Sequence, residues 1–577
     1  MFLRISILFV TCLTTGLVHA QHDLDRLLPA TTAAAFKINH AGQIVDDILA
    51  HPLVQAAEEA GAYKDALPEQ QAAQLNAIKA QIKASIGVEW NQAIAQLTSK
   101  GIVLAYDPPT NGVSLIIQGE EETLTKVFDI LYKTIEPIVA LGGKSINKGL
   151  YRDTITGYQI DDLRFALYEG TFVMTNSRDL GRFTLDALLG EPPTNTLADN
   201  PTFQQATEST KPNDYSVWFW ADSKLAAQTG GGDQLDESMK QNMLAELLFG
   251  GITNQLKHSQ YTTATLDFNK EQLRFAFRTA HDQAWIPERR HYYFGADGKG
   301  EAPPLLQPKG TISSISMYRD LAPWYLLGPE LYTPEVNERI AQADSQLSTF
   351  LGGKDFGEDI LGALEPGFQI VVADTEFDEG APVPDLKIPA FAMVANLRDP
   401  EVIKPELRRQ FINFVGFLNL VSGMEGGKQL DIDIQSKDDN VILTTAFLKP
   451  QPNQPVSIEY NFTPTLIMTD ELFILASTKA LASNLQDPKV AKGSKANRST
   501  INSQFQLYGA ALKHILEKNK EFLITQNMLD KGSTREQATD EVTLILQATE
   551  ILKMLEIKLE HTDSELTFTF DMSFKVE

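Results

Sequence analysis

One order of apolar segments occurs twice in this sequence, and this repetition limits the possible folds more than any other feature. In the first copy, the strand-like residues 113–118 precede a helical pattern that ends at Gly142-Gly143-Lys144. In the second copy, residues 390–395 precede a helical run that ends at Gly426-Gly427-Lys428. Apolar residues at intervals of three and four indicate an amphipathic helix, and short apolar runs bounded by turn residues indicate strands. The chain therefore has the pattern of a duplicated unit of helices and strands.

Each copy closes with a predicted hairpin. Residues 261–268 and 272–279 form the first hairpin, and residues 555–561 and 565–574 form the second. Apolar and polar residues alternate in the closing strands, and this period of two places one face of each strand on a core. We predict an α+β fold of two homologous tandem domains, each a largely antiparallel or mixed sheet packed against helices on one side. The two domains are expected to share one strand order.

The domain boundaries follow from composition. Residues 281–307 contain a cluster of glycines and prolines, which favours a linker. The predicted organisation is a signal peptide at residues 1–20, a first repeat domain at 21–280, an interdomain linker at 281–307 and a second repeat domain at 308–577. A repeat of this length indicates domain duplication rather than a solenoid.

The first residues have the pattern of a secretory signal. Arg4 precedes an apolar run, and Val18-His19-Ala20 places small residues where a signal peptidase cleaves. We predict cleavage after Ala20 and a periplasmic or otherwise secreted protein. The only cysteine, Cys12, lies in this segment, so the mature chain is expected to form no disulfide. No later segment has the roughly 20 apolar residues that a transmembrane helix needs.

The negative charge of the chain disfavours some classes of binding partner. Its formal net charge is −25 at pH 7. Nucleic acids and anionic lipid headgroups attract basic surfaces, so we predict that neither is a partner. Acidic side chains such as Asp431 and Asp433 are interpreted as a solvated surface, because a calcium site needs more oxygen ligands in a glycine-bearing loop. The expected partners are an envelope protein or a small apolar ligand.

No motif in the sequence predicts catalysis, a metal site or a cofactor. No two histidines lie four residues apart, as metal ligands on one helical face do. Ser145 and Lys148 match the Ser-x-x-Lys spacing, but the companion motifs of penicillin-binding enzymes are missing. Gly230-Gly231-Gly232-Asp233 precedes a helix without the Lys-Ser/Thr of a phosphate-binding loop, which favours Asp233 as a helix cap.

One short segment concentrates basic and aromatic groups in this acidic chain. It contains Arg289, Arg290, His291, Tyr292 and Tyr293. Two interpretations remain open: a strand of the linker packed between the domains, or a surface for an acidic partner or a ligand at an interdomain cleft. These five residues are the candidate binding site.

Large aromatic residues allow a second kind of site. Trp218 and Trp220 alternate with other residues of a strand, and Phe411 and Phe414 belong to a helical pattern. Such residues either fill a core or line a cavity for a lipid or another apolar ligand. A continuous cavity lined by these four side chains is the condition for the second interpretation.

The opening of the mature chain supplies the one family resemblance. Leu27-Leu28-Pro29-Ala30 leads into the apolar strand of residues 33–38. In this motif and in its overall organisation the chain resembles a family of uncharacterised exported bacterial proteins, catalogued as a domain of unknown function. The resemblance implies a location in the cell envelope and identifies no catalytic residue.

These observations favour an exported envelope protein that is a non-enzymatic binding or scaffold protein. The first alternative is a carrier of a lipid or another apolar ligand. A further alternative is an enzyme of unrecognised type, which requires a cluster of polar groups with shifted pKa values in one cleft.

Overall fold

The computed structural model shows a chain that combines antiparallel sheets with many helices, so the predicted α+β class is confirmed. It describes residues 23–59, 69–190, 195–224, 231–377, 379–424, 427–437, 440–448, 456–490 and 500–576. The predicted signal peptide lies outside these residues. No described helix has both the length and the apolar composition that crossing a membrane requires.

The chain divides into two compact units. Apart from the last two residues, unit 1 comprises Met1–Gly231 and Lys257–Ala280, and unit 2 comprises Gly232–Leu256 and His281–Lys575. The segment Gly232–Leu256 therefore belongs to unit 2, although the chain on both sides of it belongs to unit 1. Residues 281–307, for which we predict a linker, are part of unit 2.

Unit 1 contains one antiparallel sheet in the order β4-β5-β6-β7-β3-β2-β1-β8-β9-β10. The strands are β1 Ala34–Ile38, β2 Gly101–Asp107, β3 Gly112–Gln118, β4 Asn147–Tyr151, β5 Ile155–Ile160, β6 Leu163–Tyr168, β7 Thr171–Thr175, β8 Val217–Asp222, β9 Tyr261–Phe268 and β10 Gln272–Ala280. Its helices are α1 Ala41–Leu49, α2 Pro52–Glu59, α3 Glu69–Ile86, α4 Trp90–Leu97, α5 Glu121–Leu141, α6 Arg178–Leu188 and α7 Pro201–Thr210.

Unit 2 contains strands in the order β14-β15-β16-β17-β13-β12-β11-β18-β19-β20, again antiparallel. They are β11 Thr311–Met317, β12 Leu364–Ala373, β13 Ala390–Leu397, β14 Leu430–Lys437, β15 Asn440–Phe447, β16 Thr465–Met468, β17 Leu472–Ala476, β18 Ile501–Tyr508, β19 Leu552–His561 and β20 Glu565–Phe574. Position by position, this order matches the order in unit 1. Common ancestry of the two halves stays a prediction.

In the described residues, eleven α-helices are assigned wholly or mainly to unit 2. They are α8 Gly231–Lys240, α9 Met243–His258, α10 His291–Phe294, α11 Leu321–Leu326, α12 Gly328–Leu331, α13 Pro334–Phe350, α14 Pro400–Met424, α15 Lys479–Leu485, α16 Gly509–Lys518, α17 Lys520–Lys531 and α18 Arg535–Ile551. The sequence pattern places α8 and α9 in the first half of the chain, whereas the structure assigns both mainly to unit 2, where α9 packs on a core.

Helices cover both faces of each sheet, so the prediction of helices on one side is wrong. In β7, Phe172 packs with α3, α4 and α5, while the next residue, Val173, packs with α6 and α7 on the opposite face. Successive residues of a strand point to opposite faces, and both are buried here. In unit 2, Ala395 packs with α14 and Val394 packs with α15 in the same way.

The Leu-Leu-Pro-Ala element is part of the core of unit 1. Leu27 and Leu28 are fully buried beside Trp218 and Trp220. The carbonyl of Leu28 accepts a hydrogen bond from the amide of Leu197. The element therefore holds this segment against the sheet of unit 1, and this packing is a structural reason for its two leucines.

Candidate functional site

The structure places the predicted site residues Arg289 to Tyr293 inside unit 2. They form a short 3-10 turn, Glu288–Arg290, and then α10. Arg290, Tyr292 and Tyr293 are buried, and Arg289 and His291 are partly exposed. Binding of a ligand or partner to this segment stays a prediction. Three of its five side chains are buried in the interior of unit 2.

Arg290 is the centre of a buried ion-pair network. Its Nε lies 2.6 Å from Glu246 Oε1, and one terminal nitrogen lies 2.9 Å from Glu246 Oε2 and 3.0 Å from Asp236 Oδ1. Thr253 Oγ1 accepts a further hydrogen bond of 2.8 Å. Burial lowers the pKa of Arg290, but the two carboxylates outweigh burial and hold the pKa above its usual value.

A second buried arginine completes this network, which we call the arginine core (Asp236, Glu246, Arg290, Tyr293 and Arg319). Arg319 donates hydrogen bonds to the Leu247 carbonyl and to Asn502 Oδ1, each 2.7 Å long. Its guanidinium carbon lies 3.5 Å from the centroid of the Tyr293 ring, in the geometry of a cation–π contact. Burial lowers the pKa of Arg319. The buried polar groups of this network are paired with one another and with backbone carbonyls. The arginine core is therefore interpreted as structural.

Two buried histidines form a second cluster in unit 2. The rings of His281 and His561 have centroids 5.5 Å apart, and the Phe294 ring contacts both at 5.0 and 5.4 Å. Burial, with the nearby His561, lowers the pKa of His281 to about 4, and burial also lowers the pKa of His561. Asp282 and Asp563 oppose this shift at His281 without reversing it.

We expect the histidine pair to make unit 2 less stable in mild acid. Because the pKa of His281 is lower in the folded state, the unfolded chain binds its proton first as the pH falls. The stabilisation by neutral His281 is complete above about pH 6.5 and is lost as the pH falls toward the folded value of about 4. The free energy of unfolding should fall by about 3 kcal/mol across this window.

Chemical denaturation of the protein at a series of pH values measures this effect. The His281→Leu variant should show a shallower decline, and the difference between the two profiles isolates the histidine from the carboxylates that titrate in the same range. Identical slopes in the two proteins would contradict the prediction.

Four other sequence candidates, Ser145, Lys148, Asp431 and Asp433, are exposed. Ser145 lies outside the strands, Lys148 lies in β4, and no hydrogen bond joins them in the structure as described. Asp431 and Asp433 are exposed on β14. Gly231 begins α8, while Gly230 is outside the described residues. Among the described residues, no group of three or more acidic, histidine or cysteine side chains has the geometry of a metal site.

The large aromatic residues, for which the sequence allows either a core or a cavity, lie mostly in the cores of the two units. Trp218 and Trp220 are fully buried in unit 1, where Phe203 packs edge-on against both rings at 5.6 and 5.2 Å. Phe411 is buried in a core of unit 2, and Phe414 is 48% exposed on the same helix. Three of the four side chains are therefore core residues, which favours the interpretation that they fill a core.

An open groove of about 790 Å³ lies on the surface of unit 2. We call it the α14 groove, after the helix that supplies most of its wall. It is lined by Glu401, Lys404, Pro405, Arg408, Arg409, Ile412, Val441 and Asp470. Sequence reasoning did not identify these residues as a site.

The helical repeat explains why α14 presents these side chains together. Lys404, Arg408 and Ile412 are spaced four residues apart, which places them along one face. Leu407 and Phe411 face the core of unit 2 and fix the rotation of the helix. Val441 comes from β15, and Asp470 comes from the turn between β16 and β17. The groove therefore forms only when distant parts of the chain pack together.

The three cations of the groove differ in their partners. Lys404 Nζ lies 2.7 Å from Asp470 Oδ1. Arg409 donates to both carboxylate oxygens of Glu406 at 2.6 and 2.7 Å. Arg408 is partly exposed and has no hydrogen bond or ion pair to any residue that the structure describes. Arg408 is therefore the one lining cation for which the described residues supply no partner.

Comparisons with known proteins add little to this geometry. No family model and no curated protein matches the chain. Three crystal forms of a protein called TP0453 are similar in part. Form III is 10% identical with a TM-score of 0.24, over 45% of this chain and 80% of that chain. Forms IV and I are 10% and 11% identical, with TM-scores of 0.25 and 0.24, over 44% and 45% of this chain and 79% of each of those chains. These scores are too low to support an inference.

Proposed function

We propose that this protein is a non-enzymatic binding protein and that the α14 groove is its binding surface. The observation that carries the proposal is Arg408, an arginine without a partner among the described residues, in an open groove. Arginine recognises carboxylate and phosphate groups through two parallel hydrogen bonds. Arg408 makes no described ion pair or hydrogen bond that would stabilise the fold, so a role in binding a ligand is the better explanation of its position.

The chemistry of the groove indicates what it binds. Arg408 lies beside the apolar side chains of Ile412 and Val441. A partner that carries an anionic group next to an apolar one fits both parts of this surface. The chain as a whole has a formal charge of −25, whereas the lining of the groove has more basic than acidic side chains. Contact with an anionic partner is therefore expected to depend on this patch rather than on the field of the whole protein.

The lining of the groove supports binding over catalysis. Its described side chains offer cations, carboxylates and apolar groups, without an imidazole, a thiol or a hydroxyl. The large pKa shifts of buried His281 and Tyr332 occur elsewhere in unit 2. Perturbed groups that face a cleft mark active sites, and these groups are buried in the interior.

We also propose that the protein acts in the cell envelope. The pattern of residues 1–20 and the family resemblance of Leu27-Leu28-Pro29-Ala30 support this location. A partner for the α14 groove should therefore be sought among exported proteins and small anionic molecules of that compartment.

We expect Arg408→Glu to abolish binding of the native partner. Reversal of the charge repels an anion, and the partly exposed position tolerates the change in the folded protein. The measurement is native mass spectrometry of protein purified from its own envelope fraction, compared with the mass under denaturing conditions. Wild-type protein should carry additional mass that Arg408→Glu lacks.

The matched control is Arg182→Glu, which reverses an exposed arginine on α6 of unit 1. This variant should keep the additional mass. Retention of the same mass by Arg408→Glu would refute the α14 groove as the binding surface, and a bare polypeptide mass for the wild type would count against a stable ligand.

A further inference from the structure

We propose that Lys404 and Arg408 form an oxyanion site and that Asp470 occupies part of it as an internal competitor. This inference rests on the proposed function, because it concerns the same groove. It adds the chemical class of the ligand and a residue that sets the strength of binding.

The two cations have the spacing that a shared anion requires. Lys404 and Arg408 are one helical turn apart, where side chains on one face are neighbours at about 6 Å. Both line the α14 groove. A carboxylate or a phosphate has at least two oxygens and can receive hydrogen bonds from an ammonium and a guanidinium together.

Asp470 already supplies an oxygen to one of these cations. Its Oδ1 lies 2.7 Å from Lys404 Nζ. The side chain of Lys404 is only 11% exposed, whereas that of Asp470 is 78% exposed. A largely buried ammonium keeps a carboxylate nearby because an unpaired buried charge is costly. The carboxylate in this pair, by contrast, stands mostly in water.

This asymmetry makes Asp470 replaceable. An ion pair with one strongly exposed partner contributes little to stability. A ligand oxyanion that contacts Lys404 and Arg408 together gains a second cation that Asp470 does not engage in the structure. The ligand therefore takes over the role of Asp470 at Lys404, and the turn between β16 and β17 carries the displaced side chain.

Isothermal titration calorimetry with two probes tests the site. The probes are sodium glutarate, a dicarboxylate, and inorganic phosphate. The Asp470→Asn variant should bind at least one of them about fivefold more tightly than the wild type, because the competing charge is gone. The double variant Asp470→Asn/Arg408→Gln should lose this gain. Asp431→Asn, which removes an exposed carboxylate on β14 outside the groove, should bind as the wild type does.

The probes distinguish two sources of the anion. Tighter binding of glutarate alone indicates a carboxylate of a protein or peptide, and tighter binding of phosphate alone indicates a phosphorylated molecule. Asp470→Ser repeats the test if melting curves show that the asparagine variant is unfolded.

Equal affinities of Asp470→Asn and the wild type, or no saturable binding by any folded variant, would overturn the inference. The proposed function fails separately. If native mass spectrometry still finds a ligand that depends on Arg408 while Asp470→Asn has no effect, the groove binds its partner without an internal competitor.

Discussion

Replacement of Glu246 by alanine is expected to lower the free energy of unfolding of unit 2 by about 3 to 5 kcal/mol. Glu246 is fully buried and accepts two hydrogen bonds from Arg290, whose side chain is 2% exposed. Its removal leaves the guanidinium with Asp236 as its remaining carboxylate partner. The larger part of the lost stability is therefore the cost of a buried guanidinium without its main carboxylate, and the smaller part is the loss of side-chain volume. Urea denaturation followed by circular dichroism measures the change.

The control for this experiment is an ion pair on the surface. Arg535 lies 2.6 Å from Glu521, and their side chains are 63% and 75% exposed. Arg535→Ala should lower the free energy of unfolding by less than about 1 kcal/mol, because water screens the pair. Similar losses in the two variants would show that the arginine core is not the buried network that we describe.

The second large effect is expected at Gly509, where β18 ends and α16 begins. A Cβ at this position would lie 1.8 Å from the carbonyl oxygen of Leu552 and 2.7 Å from that of Thr549. Both obstacles are backbone atoms of packed elements, so no side chain can rotate away. We expect Gly509→Ala to destabilise the protein by about 3 kcal/mol, measured as a shift in the urea midpoint at constant slope.

Gly416 provides the matched control. It lies in α14 and is exposed, and a Cβ there would meet no atom within 4 Å. Alanine is the better helix former, so Gly416→Ala should stabilise the protein by about 0.5 to 1 kcal/mol. A loss of stability in this variant, or an unchanged midpoint in Gly509→Ala, would contradict the packing described here.

Local patterns in the sequence predict most of the elements. The hairpin predicted at residues 261–268 and 272–279 is β9 and β10, and the later hairpin is β19 and β20. These predictions succeed because period-two alternation and turn residues are properties of neighbouring positions. The placement of helices on both faces of each sheet was not predicted, although the consecutive apolar residues Phe172 and Val173 are a signal of burial on both faces.

Tertiary packing determines on which core a helix packs and which distant residues form a groove, and local sequence patterns do not contain this information. The apolar face of α9 predicts a buried helix, but the choice between the two cores depends on Arg290 and Arg319, which lie far along the chain. The same limit applies to the α14 groove. Lys404 and Arg408 are spaced on one helix and can be read in advance as one face, whereas Asp470 joins them only in the fold. In an acidic chain, a pair of basic residues on one helical face is a signal that can be found in the sequence.

The path of the chain through α8 and α9 has a consequence for synthesis. The segment Gly232–Leu256 leaves the ribosome before every other residue of unit 2. Domains tend to fold as units and in order of synthesis. Unit 1 needs β9 and β10, which follow this segment, and the segment needs Arg290 and Arg319, which are translated later still. Unit 1 is therefore expected to fold on the ribosome before unit 2 is complete. At that stage α9, which lies within the sequence of unit 1, still lacks the residues of unit 2 against which it packs.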